Sequence, residues 1–264
     1  MKKINLIKLG GSLITDKNKP YTAKPSKIKQ LAKEIKFCWE GGFRFVISHG
    51  SGSFGHTSAS KYQTADGLTD KQSVYGLAVV QQDAMAINRI INQIFLEEGL
   101  PVLSFMPSSF TLAKNKALSA IFIEPIIEAL KIDALPLVFG DIIMDESRGC
   151  CIYSGETTLD NLISPLIKTG HVVKRIIQAG NTDGVYDKER KTVPRIDSKN
   201  FPDIKKLIGS SGSTDVTGGM FHKIEESLKM AEKGINCLII NGEKKNNLLK
   251  AILGEPVLGT LVKK

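Results

Sequence analysis

Short apolar segments alternate with longer segments of helical spacing along this chain. The short segments predict strands, because branched apolar side chains are followed by glycine or polar residues, at positions 4–9, 43–48, 100–105, 135–139, 172–178 and 235–240. Amphipathic spacing predicts helices at 25–39, 68–98, 121–130, 159–168 and about 219–233. The segment 142–153 predicts a β-hairpin that turns at 145–149. Strand, helix and strand in this order predict an α/β fold whose parallel sheet binds ligands at the carboxyl ends of its strands.

The second strand leads directly into a glycine-rich loop, residues 50–56 with the sequence GSGSFGH. Glycine lets backbone N–H groups approach an anion closely, and His49 and His56 add donors that can follow charge during a transfer reaction. The loop also matches the G-x-G-x-x-G pattern of dinucleotide binding, but the second strand and acidic residue expected about twenty residues later do not follow. A Walker A lysine is absent as well. The sequence therefore predicts a phosphate-handling loop of another kind.

Two lysines lie where they could reach an anion on that loop. Lys8 ends the first strand, directly before Gly10, Gly11 and Ser12, and offers three donors as a compact charge. Lys17 follows in a polar loop and is a second candidate cation, although surface solubility also explains it.

Three later segments add candidate binding groups. Ser154 is predicted to cap a helix, with Glu156 in the first turn, where a carboxylate stabilises the helix or holds nearby lysines. Gly218 opens another helix with Lys223 about one turn later, which predicts an anion site. Asp183 lies in a predicted turn whose residues could contact the sugar and base of a nucleotide, although a turn without any ligand has the same composition. Such loops together favour phosphoryl transfer between two anionic ligands, since this reaction needs positioning and cations more than a nucleophilic side chain.

Composition is compatible with this prediction. The 264 residues are 42% hydrophobic, which is enough for a core, and the net charge of +9 suits a phosphorylated substrate, a nucleic acid or an anionic membrane. Dispersed lysines and only 6% aromatic residues argue against a nucleic-acid partner. No apolar stretch is long enough to span a membrane and the start lacks a secretory signal pattern, so we expect a cytoplasmic protein. The four scattered cysteines are expected to be buried and free: Cys38, Cys150, Cys151 and Cys237.

The segments 7–12, 49–56, 140–141, 154–156, 183–186 and 215–223 resemble, in order, the amino acid kinase superfamily. His56, together with 239–242 and 258–260, is most similar to the isopentenyl phosphate kinases within it. The resemblance implies phosphorylation of isopentenyl phosphate by ATP and Mg²⁺ in the alternative mevalonate pathway, with dimethylallyl phosphate as a second candidate acceptor. It implies a three-layer αβα sandwich with a mainly parallel open sheet, usually in a homodimer. One domain, residues 1–264, would comprise an acceptor-binding lobe at about 1–170 and a nucleotide-binding lobe at about 171–264.

The same resemblance implies a role for each site residue. Lys8 and Lys17 would stabilise the transferring phosphoryl group, and Glu156 would orient the lysines. The acceptor phosphate would be bound by Gly50, His56 and Gly155. The nucleotide would be bound by Lys8, Gly10, Gly11, Ser12, Ser51, Asp183, Gly218 and Lys223, and no residue is assigned as a metal ligand. Ser51, Glu156 and Asn181 differ from the family pattern, which has glycine at the first position and aspartate at the other two.

Two alternatives remain at this point. Fosfomycin kinase shares the glycine loop and the following histidine, but its acceptor requires a small polar pocket. An apolar stripe on the long helix favours an isoprenoid tail instead, although core packing or a dimer face also explains it; the stripe comprises Tyr75, Ala78, Val79 and Met85. A non-catalytic ligand-sensing module on the same fold would not need Lys8, Lys17, His56 and Lys223 together.

Overall fold

Parallel strands form the centre of the fold. The computed structural model describes residues 3–64, 67–209 and 219–264. Its strands are β1 (Lys3–Leu9), β2 (Arg44–His49), β3 (Val102–Ser104), β4 (Thr111–Lys114), β5 (Ala117–Ile121), β6 (Leu135–Phe139), β7 (Asp141–Asp145), β8 (Gly149–Tyr153), β9 (Val172–Gly180), β10 (Arg195–Ile196), β11 (Cys237–Asn241) and β12 (Gly259–Val262). The main sheet has the order β10-β12-β11-β9-β1-β2-β6-β3. All neighbours in it are parallel except β11 and β12, which confirms the predicted mainly parallel sheet.

Helices cover both faces of this sheet. They are α1 (Gly11–Ile14), α2 (Pro25–Glu40), α3 (Gly55–Tyr62), α4 (Lys71–Glu97), α5 (Glu124–Lys131), α6 (Gly155–Lys168), α7 (Phe201–Gly209), α8 (Gly219–Glu232) and α9 (Asn247–Leu253). One buried cluster joins the sheet to α1, α2, α4 and α9, and a second joins its other face to α5, α6, α7 and α8. The fold is thus a three-layer αβα sandwich, as predicted.

Strand β1 shows how the sequence places a charged group at the site. Ile4 and Leu6 belong to the cluster under α6, whereas Ile7 and Leu9 belong to the cluster under α2 and α4. Side chains alternate along a strand, so Lys8 points to the face that α6 covers. Burial of each large apolar side chain is worth about 1.5–3 kcal/mol, which fixes the strand against a one-residue slip.

Side-chain caps define the starts of two helices that border the site. Asp70 accepts a hydrogen bond from the Ser73 amide at 2.7 Å, and the Ser73 hydroxyl oxygen accepts one from the Asp70 amide at 3.0 Å, before α4. The Ser154 hydroxyl oxygen accepts a hydrogen bond from the Thr157 amide at 3.0 Å and so caps α6, as predicted. Each cap pairs an amide that the helix itself leaves unbonded.

A second sheet of order β5-β4-β7-β8 lies beside the main one. Its β7–β8 hairpin was predicted, but the β4–β5 hairpin was not, and the helix predicted from residue 121 begins only at Glu124. Asp145 joins the two hairpins, because its carboxylate accepts hydrogen bonds of 2.7–3.1 Å from the amides of Asn115, Lys116, Ser147 and Arg148. These amides lower the pKa of Asp145 to about 2, although burial opposes the shift.

The four cysteines are buried and free, as expected. Among the described residues, we find no helix that is both long and apolar enough to cross a membrane.

Candidate active site

A cleft of about 790 Å³ opens at the carboxyl ends of the central strands. The loops after β1, β2, β6 and β9 all contribute to its wall, and the start of α6 closes its floor. Parallel strands bring these loops together although they are far apart in the sequence. The cleft is therefore where the predicted phosphate-handling groups can meet.

A buried ion pair lies at the base of the cleft. The Lys8 ammonium bonds the Glu156 carboxylate, and both residues are at most 5% exposed. Burial alone would raise the pKa of Glu156, but the charge and hydrogen bond of Lys8, with the charge of Lys223, lower it to about 2. Glu156 is therefore ionised at neutral pH and holds Lys8 at the end of β1.

Glycines allow the Lys8 side chain to pass between two loops. A Cβ atom on Gly155 would lie 3.0 Å from Lys8 Cε and 2.8 Å from the carbonyl oxygen of His49, and one on Gly50 would lie 2.9 Å from the Gly11 amide nitrogen. Gly155 therefore leaves no room for a side chain, and Gly50 leaves little. The predicted acceptor residues Gly50 and Gly155 thus flank Lys8 with backbone alone, and both line the cleft.

The nucleotide loop predicted after β1 packs against the glycine loop after β2. Gly10, Gly11 and Ser12 line the cleft, and the Gly10 amide donates to the Ala179 carbonyl at 2.8 Å. A Cβ atom on Gly11 would lie 2.6 Å from the Gly52 amide nitrogen, so the two backbones are in direct contact.

The two histidines that flank the glycines of this loop have different environments. His49 is fully buried, is absent from the cleft wall and stacks on Phe139, and its Nε2 lies 3.1 Å from the Asn88 amide nitrogen. Burial lowers the pKa of His49 to about 3, so the ring is neutral. The expectation that both histidines follow charge is therefore wrong for His49. His56, by contrast, is exposed on α3 and lines the cleft.

The remaining predicted cations also lie at the cleft. Lys17 is exposed on the loop between α1 and α2 and lines one rim. Lys223 also lines the cleft, where a Cβ atom on Gly180 would lie 3.4 Å from its Nζ, and its charge acts on Glu156. The structure thus brings three lysines and His56, from four chain segments, to one cavity, an arrangement suited to phosphate groups.

The model of the amino acid kinase family matches residues 3–241. The chain belongs to the amino acid kinase family.

Members of this family named isopentenyl phosphate kinase are similar over nearly the whole chain. The one from Methanocaldococcus jannaschii is 32% identical, with 96% of each chain covered. The one from Methanothermobacter thermautotrophicus is also 32% identical, with 97% of this chain and 98% of the relative covered. A crystal structure of an isopentenyl phosphate kinase superposes with a TM-score of 0.82 at 28% identity, covering 98% of this chain and 99% of that one. These similarities confirm the resemblance predicted from the sequence.

Two residues that were predicted to bind the nucleotide, Asp183 and Gly218, are not among the described residues that line the cleft. Asp183 lies beside the cleft, and its carboxylate accepts bonds from Lys244 Nζ at 2.7 Å and from Asn241 Nδ2 at 3.1 Å. These partners lower the pKa of Asp183, with Lys244 as the main cause. The neighbours Asn181 and Thr182 line the cleft instead. Gly218 lies outside the residues that the structure describes.

Ser51, where the family pattern has glycine, joins two loops of the cleft. It lines the cavity, and its hydroxyl donates a hydrogen bond of 2.9 Å to the carbonyl oxygen of Gly140. The side chain thereby links the loop after β2 to the loop after β6.

The apolar wall of the cleft comes from a different face of α4 than we predicted. Tyr75 and Ala78 are exposed, and none of the four predicted stripe residues lines the cavity. Val80 and Ala84 line it, and both are buried. The helical spacing was correct, but periodicity alone did not tell which face meets the cleft.

Asp141 and His222 line the cleft without an assigned role from the sequence. The Asp141 carboxylate accepts hydrogen bonds from the amides of Ser108, at 3.0 Å, and Ile142, at 2.8 Å, while burial raises its pKa. His222 Nε2 lies 3.3 Å from the Ser154 hydroxyl that caps α6. Both were visible as polar residues at predicted element ends, but nothing local distinguished them from capping residues.

Proposed function

We propose that this kinase transfers the γ-phosphoryl group of ATP to isopentenyl phosphate. An oxygen of the acceptor phosphate attacks the γ-phosphorus, the bond from that phosphorus to the β–γ bridging oxygen breaks, and isopentenyl diphosphate and ADP are released. The carrying observation is one cleft that combines three lysines and His56 with an apolar wall at Val80 and Ala84. Relatives of 32% identity that bear the name isopentenyl phosphate kinase support the same reaction.

The acceptor and the nucleotide would meet at Lys8. We assign the acceptor phosphate to His56 and to the backbone of Gly50 and Gly155, beside the apolar wall that would receive the tail. The nucleotide phosphates would lie on Gly10, Gly11 and Ser12, with Lys223 beside them. This division supports an acceptor lobe at about 1–170 and a nucleotide lobe at about 171–264, with the loop after β1 reaching across.

Charge is the main contribution of the side chains in this proposal. Lys8 and Lys17 would stabilise the negative charge of the transferring group, and Glu156 would keep Lys8 in place. Lys8 is positioned before any substrate arrives, because its partner is ionised at neutral pH. Little reorganisation is then required when the phosphoryl group moves.

A magnesium ion fits this cleft as a companion of the nucleotide. Among the described residues, no group of three or more His, Cys, Asp or Glu side chains could hold a metal. Mg²⁺ keeps several waters and often binds through substrate phosphates with one or two carboxylates. Asp141 is a carboxylate that lines the cavity and could take part, and the bound ion would neutralise phosphate charge. A homodimer is part of the same proposal, and light scattering of the purified protein tests it.

The experiment that tests the function is an ADP-release assay with ATP and magnesium. Isopentenyl phosphate, dimethylallyl phosphate, fosfomycin and UMP are compared as acceptors. Turnover selective for the two isoprenoid phosphates supports the proposal, and selective turnover of fosfomycin or UMP would replace the acceptor. ATP binding without turnover of any acceptor would favour a ligand-sensing module.

Two variants test the division of the cleft. His56→Ala is expected to raise the KM of isopentenyl phosphate about tenfold or more while the KM of ATP stays within about twofold. Lys17→Ala is expected to lower kcat more than it raises either KM, because its contact strengthens in the transition state. Equal loss of both affinities in His56→Ala contradicts the acceptor assignment.

A further inference from the structure

The loop that presents Lys17 is closed at its base. Thr15 and Ala23 form an antiparallel bridge, and the Asp16 amide donates to the Thr22 carbonyl at 2.8 Å. Lys17 lies two residues beyond the bridge and is exposed. Closure of the base restricts where the loop starts and ends, but it leaves the position of the tip to other contacts.

Tyr21 supplies contacts on the far side of this loop. Its ring meets the Phe54 ring edge-on, with centroids 5.8 Å apart and planes at 90°. Its hydroxyl donates to an Asp83 carboxylate oxygen at 3.2 Å, and its amide lies 3.5 Å from the Ser53 carbonyl oxygen. Its φ of +52° is a left-handed conformation that bulky residues rarely adopt. Surrounding contacts are needed to maintain such a conformation.

The partners of Tyr21 belong to two walls of the acceptor side. Phe54 is 5% exposed and directly precedes Gly55 and His56 at the start of α3. Asp83 lies on α4 between Val80 and Ala84, which line the apolar wall. The Tyr21 side chain thus connects the loop of Lys17 to the start of α3, which carries His56, and to α4, which supplies the apolar wall of the cleft.

We propose that Tyr21 is a positioning residue that holds the Lys17 loop against the acceptor side of the cleft. The inference rests on the proposed function, in which Lys17 meets the transferring phosphoryl group. A misplacement of about 1 Å at a reacting centre can lower the rate about a hundredfold, so a fixed loop has a kinetic effect. Tyr21 touches neither substrate in this proposal, and it acts through Lys17.

Steady-state kinetics of the full-length protein test this role. Tyr21→Ala removes the ring and hydroxyl contacts and is expected to lower kcat about tenfold or more, with both KM values within about twofold. Tyr21→Phe keeps the ring on Phe54 and is expected to lose about two- to fivefold. Tyr75→Ala is the matched control, because this exposed tyrosine makes a similar edge contact with Tyr62 but does not line the cleft, and its kcat should not change. Melting temperatures of all variants identify any loss of folding, and Tyr21→Phe remains interpretable if Tyr21→Ala is unstable.

A double variant that combines Tyr21→Ala with Lys17→Ala shows whether Tyr21 acts by positioning Lys17 or contributes independently of it. If Tyr21 acts through Lys17, adding Tyr21→Ala to Lys17→Ala lowers kcat less than about twofold further. Multiplicative losses in the double variant, or a Tyr21→Ala effect confined to the KM of the acceptor, overturn the inference. A reduced kcat in Lys17→Ala with normal kcat in Tyr21→Ala and Tyr21→Phe also overturns it and leaves the proposed function intact. An unchanged kcat in Lys17→Ala instead refutes the role of Lys17 in the proposed function.

Discussion

Replacement of Glu156 by glutamine is expected to destabilise the protein in a pH-dependent manner. The variant preserves the volume of the side chain but removes the charge that faces Lys8 at the base of the cleft. Lys8 is 4% exposed, so its ammonium would remain buried without a carboxylate. Loss of one partner from a buried pair typically costs about 3–5 kcal/mol.

The pKa of Glu156 gives an independent magnitude. The folded value of about 2 against an ordinary 4.5, at about 1.4 kcal/mol per pH unit, corresponds to about 3 kcal/mol of stability at pH 7. Because the folded pKa is the lower one, this contribution is present above pH 4.5 and is lost as the pH falls towards 2. We expect about 2.5 kcal/mol to remain at pH 4 and about 1.4 kcal/mol at pH 3.

Urea unfolding of wild type and Glu156→Gln at pH 7, 5, 4 and 3 measures this difference directly. Glu189→Gln is the matched control, since Glu189 pairs with Lys191 at 2.7 Å on the surface and should contribute about 1 kcal/mol or less. Glu156→Asp keeps the charge with a shorter side chain and should retain part of the stability. A difference between wild type and Glu156→Gln that is below about 0.5 kcal/mol at pH 7, or that does not shrink between pH 5 and 3, refutes the reasoning.

Three further substitutions test other parts of the structure. Asp145→Ala removes an acceptor shared by four amides and is expected to cost about 1–3 kcal/mol, or about 2–4 °C of melting temperature per kcal/mol, by calorimetry. The stability that the Asp145 carboxylate contributes is present above pH 3.8 and is lost as the pH falls towards 2. An unchanged melting temperature of Asp145→Ala at pH 7 would contradict this contribution. Gly52→Ala should lower both stability and kcat, because φ at Gly52 is +53° and a Cβ atom there would collide with Thr15. Thermal unfolding followed by circular dichroism measures the stability and the ADP assay measures kcat, and wild-type values of both would contradict the prediction. Val80→Phe should raise the KM of isopentenyl phosphate about tenfold with the KM of ATP unchanged, whereas a change in ATP alone would remove Val80 from the tail wall.

The local sequence determined most of the elements around the site. The apolar run at 4–9 predicted the first strand, and the alternation of side chains along a strand places Lys8 on the same face as Ile4 and Leu6. The sequence also predicted the helix cap at Ser154 and the close backbone contacts of the 50–56 loop, because both features depend on neighbouring residues. The β4–β5 hairpin was not predicted, since its two short strands lie between the predicted strand at 100–105 and the predicted helix at 121–130.

Only the tertiary structure decided which of these groups meet. Lys8 and Glu156 are 148 residues apart, and their pairing follows from the stacking of α6 on the sheet rather than from any local pattern. His49 and His56 flank the same glycines, yet burial among Phe139 and Asn88 neutralises His49 while His56 faces the cleft. The face of α4 that lines the cavity was likewise set by packing, because periodicity gives a buried stripe without saying what covers it. The sequence by itself thus determined the local chemistry, and contacts between distant segments determined its geometry.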